Sequence, residues 1–157
     1  MLMSRSISAG ALAALALLCS VLLAGAQQLG TADQARAMIE AAVAALQDNE
    51  ASALDKFNDK NSEQFHYRDL YVFCINMSDG TFTAQLDPDL RGTDVRALKL
   101  KDEPFGQRLY DALRGAPEGR IITVGYSTLR PGTKELVQKV SYVARVGNHG
   151  CGVGYYR

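Results

Sequence analysis

An α+β domain is what this sequence predicts: an antiparallel sheet of five strands, with a helical arm on one face and connecting segments on the other. Three observations predict it. Between Thr31 and Phe57 apolar side chains recur every three or four positions, a helical period. After Phe57 the pattern turns to short alternating runs broken by Gly, Pro, Asn and Asp, which is the signature of strands and turns. The 157 residues are 47% hydrophobic and 22% charged, a globular composition in a length that suits one domain rather than two.

Charge and cysteine usage exclude several classes. Seventeen Lys and Arg balance seventeen Asp and Glu, which leaves no basic excess for a nucleic-acid backbone. Three cysteines are too few for a disulfide scaffold or a Cys-rich zinc module. Residues 1–26 stand apart from the domain. Arg5 gives a positive start, Ala11 to Leu23 is a dense apolar stretch, and Ala24-Gly25-Ala26 fits small-x-small cleavage before Gln27. This segment is expected to be a signal peptide, with an uncleaved membrane anchor as the alternative. Leu18 before Cys19 speaks against a lipoprotein, since a small residue is normally required there. The domain is then 27–157, periplasmic or secreted, with a helical arm over 27–57 and the sheet over 66–157.

The arm opens with Thr31-Ala32-Asp33-Gln34, a capping box in which Thr31 and Gln34 satisfy each other's backbone amides. Ala35, Met38, Ile39, Ala42, Val43 and Leu46 form one apolar stripe. Asp48-Asn49 can interrupt it before Ala53, Leu54 and Phe57 resume. Asn58 to Ser62 is a polar loop.

Arg68 to Asn76 reads as a strand with Leu70, Val72 and Cys74 on one face and Tyr71, Phe73 and Ile75 on the other. Both faces are apolar, so it is predicted to be central and covered on both sides. Ser78-Asp79-Gly80 turns into a second strand, Thr81 to Gln85, and Asp87 to Gly92 is loop chemistry. A short helix is expected from Phe105 to Arg114, stopped by Gly115. Three strands follow: Arg120 to Thr128, Glu135 to Val146 and Cys151 to Tyr156, with a Pro-Gly turn and a Gly147–Gly150 turn between them.

This order carries Arg68-Asp69-Leu70-Tyr71-Val72-Phe73, Asp79-Gly80, Leu90-Arg91-Gly92, Val124-Gly125-Tyr126, Pro131, Lys139-Val140-Ser141-Tyr142-Val143 and Val153-Gly154-Tyr155. Together these resemble a single Cache domain of the second type, an extracytoplasmic PAS-like sensor module. The resemblance spans about 50–157, with the preceding helix matching the long N-terminal helix of such domains. Each motif is weak alone; order and spacing carry the likeness. It implies a PAS-like five-stranded antiparallel sheet, a long N-terminal helix, and a short helix in the loop region after the first hairpin.

The resemblance also implies a pocket between the sheet and the segments after the first hairpin, which in such domains holds small carboxylates or amino acids. Carried over by position, its residues are Tyr71, Tyr126, Lys139 and Tyr142. Two positions depart from the pattern. Gln85 stands where many relatives have a histidine, and Thr128 stands where they have a tryptophan. Both departures remove groups near the expected pocket, so the ligand can differ or the site can be degenerate. The PAS-like strand order further makes the strands of Cys74 and Cys151 neighbours, where a disulfide could form. Two separate buried thiols are the alternative.

Read for themselves, Lys139, Tyr71, Tyr126 and Gln85 are the cation and donors that a small carboxylate needs in an apolar cavity. They also suit a blander reading, core tyrosines with surface hydroxyls and a lysine capping an exposed face. One objection concerns spacing. Lys139 and Tyr142 are three apart and point to opposite faces of a regular strand, so both line one pocket only across a bulge.

Catalytic motifs are absent. His66 and His149 have no metal-ligand spacing and read as solvated loop residues. No C-x-x-C, G-x-S-x-G or P-loop pattern occurs. Gly150 to Gly154 opens no helix, so its glycines read as close strand packing rather than a phosphate cradle. The acids of Asp87-Pro88-Asp89 and Asp102-Glu103 read as solvated.

The expectation is therefore an exported sensor module for a small organic anion or amino acid, not an enzyme, with no cofactor, metal or nucleic acid. No output domain follows the last strand in this sequence, so signalling is expected through a membrane receptor or other envelope partner. A homodimer through the N-terminal helix is a further expected contact. The alternative is a degenerate sensor fold acting as an accessory or interaction subunit of an envelope complex.

Overall fold

The computed structural model describes residues 28–130 and 132–157. The expected signal segment, 1–26, lies outside the described residues. The arm is two helices, α1 (Ala32–Asp48) and α2 (Glu50–Asn58), parted at the expected Asp48-Asn49 interruption. The Thr31 hydroxyl accepts from the Gln34 amide at 3.2 Å, and the Gln34 side chain accepts from the Thr31 amide at 3.0 Å. Asn49 makes the break. Its backbone is extended, and its side-chain oxygen accepts from the Ser52 amide at 3.0 Å, so one residue ends α1 and caps α2. Among the described residues no helix is long and apolar enough to cross a membrane.

Six strands form the sheet: β1 (His66–Tyr67), β2 (Leu70–Asn76), β3 (Phe82–Ala84), β4 (Ile122–Leu129), β5 (Leu136–Val146) and β6 (His149–Tyr156). These strands pair antiparallel, in the order β1-β2-β6-β5-β4, with β3 also pairing β2. The strand beyond the expected five is β1, two residues folded back on β2 across Arg68-Asp69. It is too short for a periodic pattern to reveal.

The β5–β6 turn also differs from expectation. It is two residues, Gly147-Asn148, with Gly147 at φ 56°, so β6 begins at His149 and pairs with β5 from Val146↔His149 onward. His149 is consequently not a solvated loop residue. It is buried, with Nδ1 3.3 Å from a Glu50 carboxylate oxygen at the start of α2.

The sheet divides two cores. On one face Leu70, Val72, Cys74 and Val153 pack against Ala35, Ile39 and Ala42 of α1 and Phe57 of α2. Ala35, Met38, Ile39, Ala42 and Leu46 of the α1 stripe are thus buried in this core. On the other face Phe73, Ile75 and Val143 meet Leu109 and Leu113 of α3 (Phe105–Gly115). Cys74 and Cys151 are register partners at the sheet centre, Cα atoms 4.0 Å apart, joined by a disulfide under the arm.

Candidate functional site

The face that carries α3 holds the site. Alternate residues of β4, β5 and β6 point to it, and the register sets Tyr126 opposite Lys139 and Lys139 opposite Tyr156. Three strands therefore place a phenol, an ammonium and a second phenol in one row. Gly154 lies beside them. A Cβ there would stand 2.9 Å from Lys139 Cε, 2.9 Å from Ser141 Oγ and 3.1 Å from the Tyr126 hydroxyl. The glycine leaves the space these groups occupy. Gly152 does the same for Phe73 and Gly150 for Leu113, so the β6 glycines hold the floor low beneath the site.

Above this row is a cavity of about 270 Å³, near the lower end of small-molecule sites. Its polar lining is Lys139, Tyr71, Tyr126, Tyr156, Gln85 and Thr128. Phe73, Phe82, Phe105 and Leu109 add apolar walls, and Leu90, Leu98 and Leu100 come from the loop region between β3 and α3. That loop region is fastened by 3-10 turns at Pro88–Leu90 and Val95–Ala97 and by backbone bonds such as Gly106 N–H to Leu98 O, 2.9 Å.

Lys139 is only 9% exposed. Its Nζ lies 4.4 Å from the Tyr156 ring centroid and 5.9 Å from that of Tyr71. Among the described residues it makes no ion pair, and no Asp or Glu lines the cavity. Burial pulls its pKa below the ordinary lysine value, against a weaker opposing pull from Asp69. Burial likewise pushes Tyr71, Tyr126 and Tyr156 up, so all three stay neutral phenols that can donate. The Tyr126 hydroxyl lies 3.4 Å from Ser141 Oγ, and its ring packs on Phe105 with centroids 4.1 Å apart.

Gln85 sits one residue beyond β3. Its side-chain oxygen accepts from the Leu86 amide at 2.8 Å, which leaves the NH2 end as a donor. Its backbone is held by the Asn58 side chain and by Arg91 Nε, which donates to Gln85 O at 2.9 Å. The structure thus brings Tyr71, Gln85, Tyr126 and Lys139 together.

Tyr142 is not among them. Strand β5 pairs without a bulge from Leu136 to Val146, so Tyr142 faces the arm, its ring 5.4 Å from Tyr155 and 5.8 Å from the Arg36 guanidinium. Tyr156 takes the place it was expected to fill. Sequence reasoning missed Tyr156, although the two-residue reading of Gly147-Asn148 would have set it opposite Lys139. Phe82 and Phe105, which the sequence did not single out for the site, also line the cavity.

An ammonium among neutral phenols is an arrangement that can bind an anion. Among the described residues no cluster of His, Cys, Asp and Glu could hold a metal ion. Asp87 is exposed and caps the first 3-10 turn through the Asp89 amide at 3.0 Å.

No family model matches the chain, and no curated protein matches it. Solved structures do. A methyl-accepting chemotaxis protein from Vibrio parahaemolyticus RIMD 2210633 superposes with a TM-score of 0.59 at 19% identity, over 79% of this chain and 86% of that one. A periplasmic sensor domain of a chemotaxis protein matches with a TM-score of 0.53 at 17% identity, over 79% and 88% of the two chains. A Cache chemosensory domain described for carboxylic acid recognition matches with a TM-score of 0.53 at 17% identity, over 79% and 86%. The α+β fold is that of these PAS-like sensor domains.

Proposed function

We propose that this chain, whose fold is that of the periplasmic Cache sensors, is an exported binding module that takes a small carboxylate at Lys139 and signals through a separate partner. The observation that carries it is a buried lysine without a carboxylate partner among the described residues, in a cavity lined by phenols and apolar side chains. An unpaired buried charge is costly. A carboxylate entering the cavity supplies the missing partner, and a charge-assisted bond between ammonium and carboxylate is among the strong polar contacts. Neutral phenols at Tyr71, Tyr126 and Tyr156, with the Gln85 amide, can donate to the remaining lone pairs.

The carboxylic acid recognition described for one structural neighbour supports the same class of ligand. The module is residues 27–157 after removal of the leader, in the periplasm or outside the cell. A ligand held at once by β5 and by the Leu98–Phe105 segment draws the two together. Strand β5 also packs α1 on its far face, which gives the arm a route to the partner.

Thermal shift on the purified protein tests this. A small carboxylate should raise the melting temperature, since binding to the native state stabilises it by mass action. Lys139→Ala should abolish the rise. A broad carboxylate panel without effect would return the chain to an accessory interaction role.

A further inference from the structure

The cavity discriminates between the ligand classes that a lysine could hold, and this inference rests on the carboxylate reading above. We infer that the ligand is an aromatic monocarboxylate: one carboxylate on an aryl group, with no ammonium and no second acid.

Charge selects first. Among the described residues one cation lines the cavity and no anion does. The acids that act on the site through space are Asp69, on Lys139 and Tyr156, and Asp87, on Tyr71; neither lines it. An amino acid would bring an ammonium beside Lys139 with no carboxylate to receive it, and like charges repel. A dicarboxylate would bring a second charge into a lining whose one cation is already paired by the first.

Wall chemistry selects next. Phenylalanines come from three separate elements, Phe73 of β2, Phe82 of β3 and Phe105 of α3. Tyr71, Tyr126 and Tyr156 add three more rings around the ammonium. Rings prefer offset or edge-to-face neighbours and gain from them beyond area alone. An aryl group can meet such neighbours on several sides, whereas a short aliphatic acid offers them no ring and leaves much of a cavity of about 270 Å³ unfilled.

Calorimetric titration of the purified protein with matched probes tests this. Benzoate and 3-phenylpropanoate are the aromatic acids; propionate and hexanoate are the aliphatic ones. Phenylalanine adds only an ammonium to 3-phenylpropanoate, and succinate adds a second acid to a short chain. At least one aromatic acid should bind tenfold or more tighter than both aliphatic acids. Phenylalanine should bind about 100-fold more weakly than 3-phenylpropanoate, and succinate no better than propionate. Hexanoate or propionate equalling the aromatic acids would overturn the inference and leave the carboxylate reading standing. Phenylalanine or succinate binding best would overturn it in the same way. If none of the six bound, the carboxylate reading itself would fall, and this inference with it.

Discussion

Lys139 and Tyr156 face each other across β5 and β6, the ammonium 4.4 Å from the ring centroid. The Gly147-Asn148 turn fixes that register from the far end of both strands, because a two-residue hairpin leaves one way to pair them. A tyrosine ring attracts a cation through its π face but supplies no negative charge. The pairing therefore holds the ammonium in place while leaving its need for an anion unmet.

Lys139→Met is expected to stabilise the free protein by about 1 kcal/mol or more, since it removes a buried charge and keeps the stem volume. It should also abolish the response to carboxylates. The pH dependence follows from the direction of the shift. Between the lowered folded pKa of Lys139 and its ordinary value, the unfolded chain binds a proton that the folded one has released, so stability rises with pH in that window. Below the folded pKa the destabilising contribution is present in full. Urea melts of both proteins across the alkaline range check this, and the rise should be smaller in Lys139→Met.

Tyr126→Phe removes a phenol at the cavity and should weaken carboxylate binding roughly 10- to 100-fold, the scale of one hydrogen bond to a charged group. Tyr142→Phe lies on the far face of β5 and should leave affinity within about twofold. Equal losses from the two variants, measured by calorimetry, would contradict the placement of the site.

The Cys74–Cys151 bond closes a loop of sequence separation 77 at the centre of the sheet. Replacing both cysteines by alanine should cost about 4 kcal/mol in the chain-entropy account, read as a lower urea midpoint. Alkylation of the exported, unreduced protein should leave both positions unlabelled in a peptide mass map. Labelling at Cys74 or Cys151 would refute the bond.

Two glycines of α3 should respond with opposite signs. A Cβ on Gly106 would overlap the Val95 backbone carbonyl, so Gly106→Ala should lose about 1–3 kcal/mol and loosen the loop region over the cavity. A Cβ on Gly115 meets nothing within 4 Å, so Gly115→Ala should be neutral or gain a few tenths of a kcal/mol. Thermal melts of the two variants separate these outcomes.

Much of this fold was legible because its signals are local. The Thr31–Gln34 capping box, the Asn49 interruption and the two faces of Leu70–Asn76 each follow from a few adjacent side chains. The resemblance supplied the central strand order that joins Cys74 to Cys151. What escaped depends on register. Misplacing the β5–β6 turn left His149 in solvent and gave no reason to pair Tyr156 with Lys139. The same strand parity that argued against Tyr142 holds in the structure, so the residue carried over by likeness gave way to geometry. The aromatic walls were hidden for another reason: Phe73, Phe82 and Phe105 are core residues by every local criterion, and only their convergence makes a binding surface.

The most direct measurement follows the Lys139 side chain itself. Its 13Cε resonance, assigned by comparison with Lys139→Arg, is titrated with pH in the free protein and again at saturating benzoate and at saturating propionate. In the free protein the midpoint should lie below the ordinary lysine value. Whichever acid binds should raise it, because a carboxylate beside the ammonium favours the charged form. A Lys139 midpoint that stays unmoved at saturation would contradict the account, since the carboxylate would then be held somewhere else.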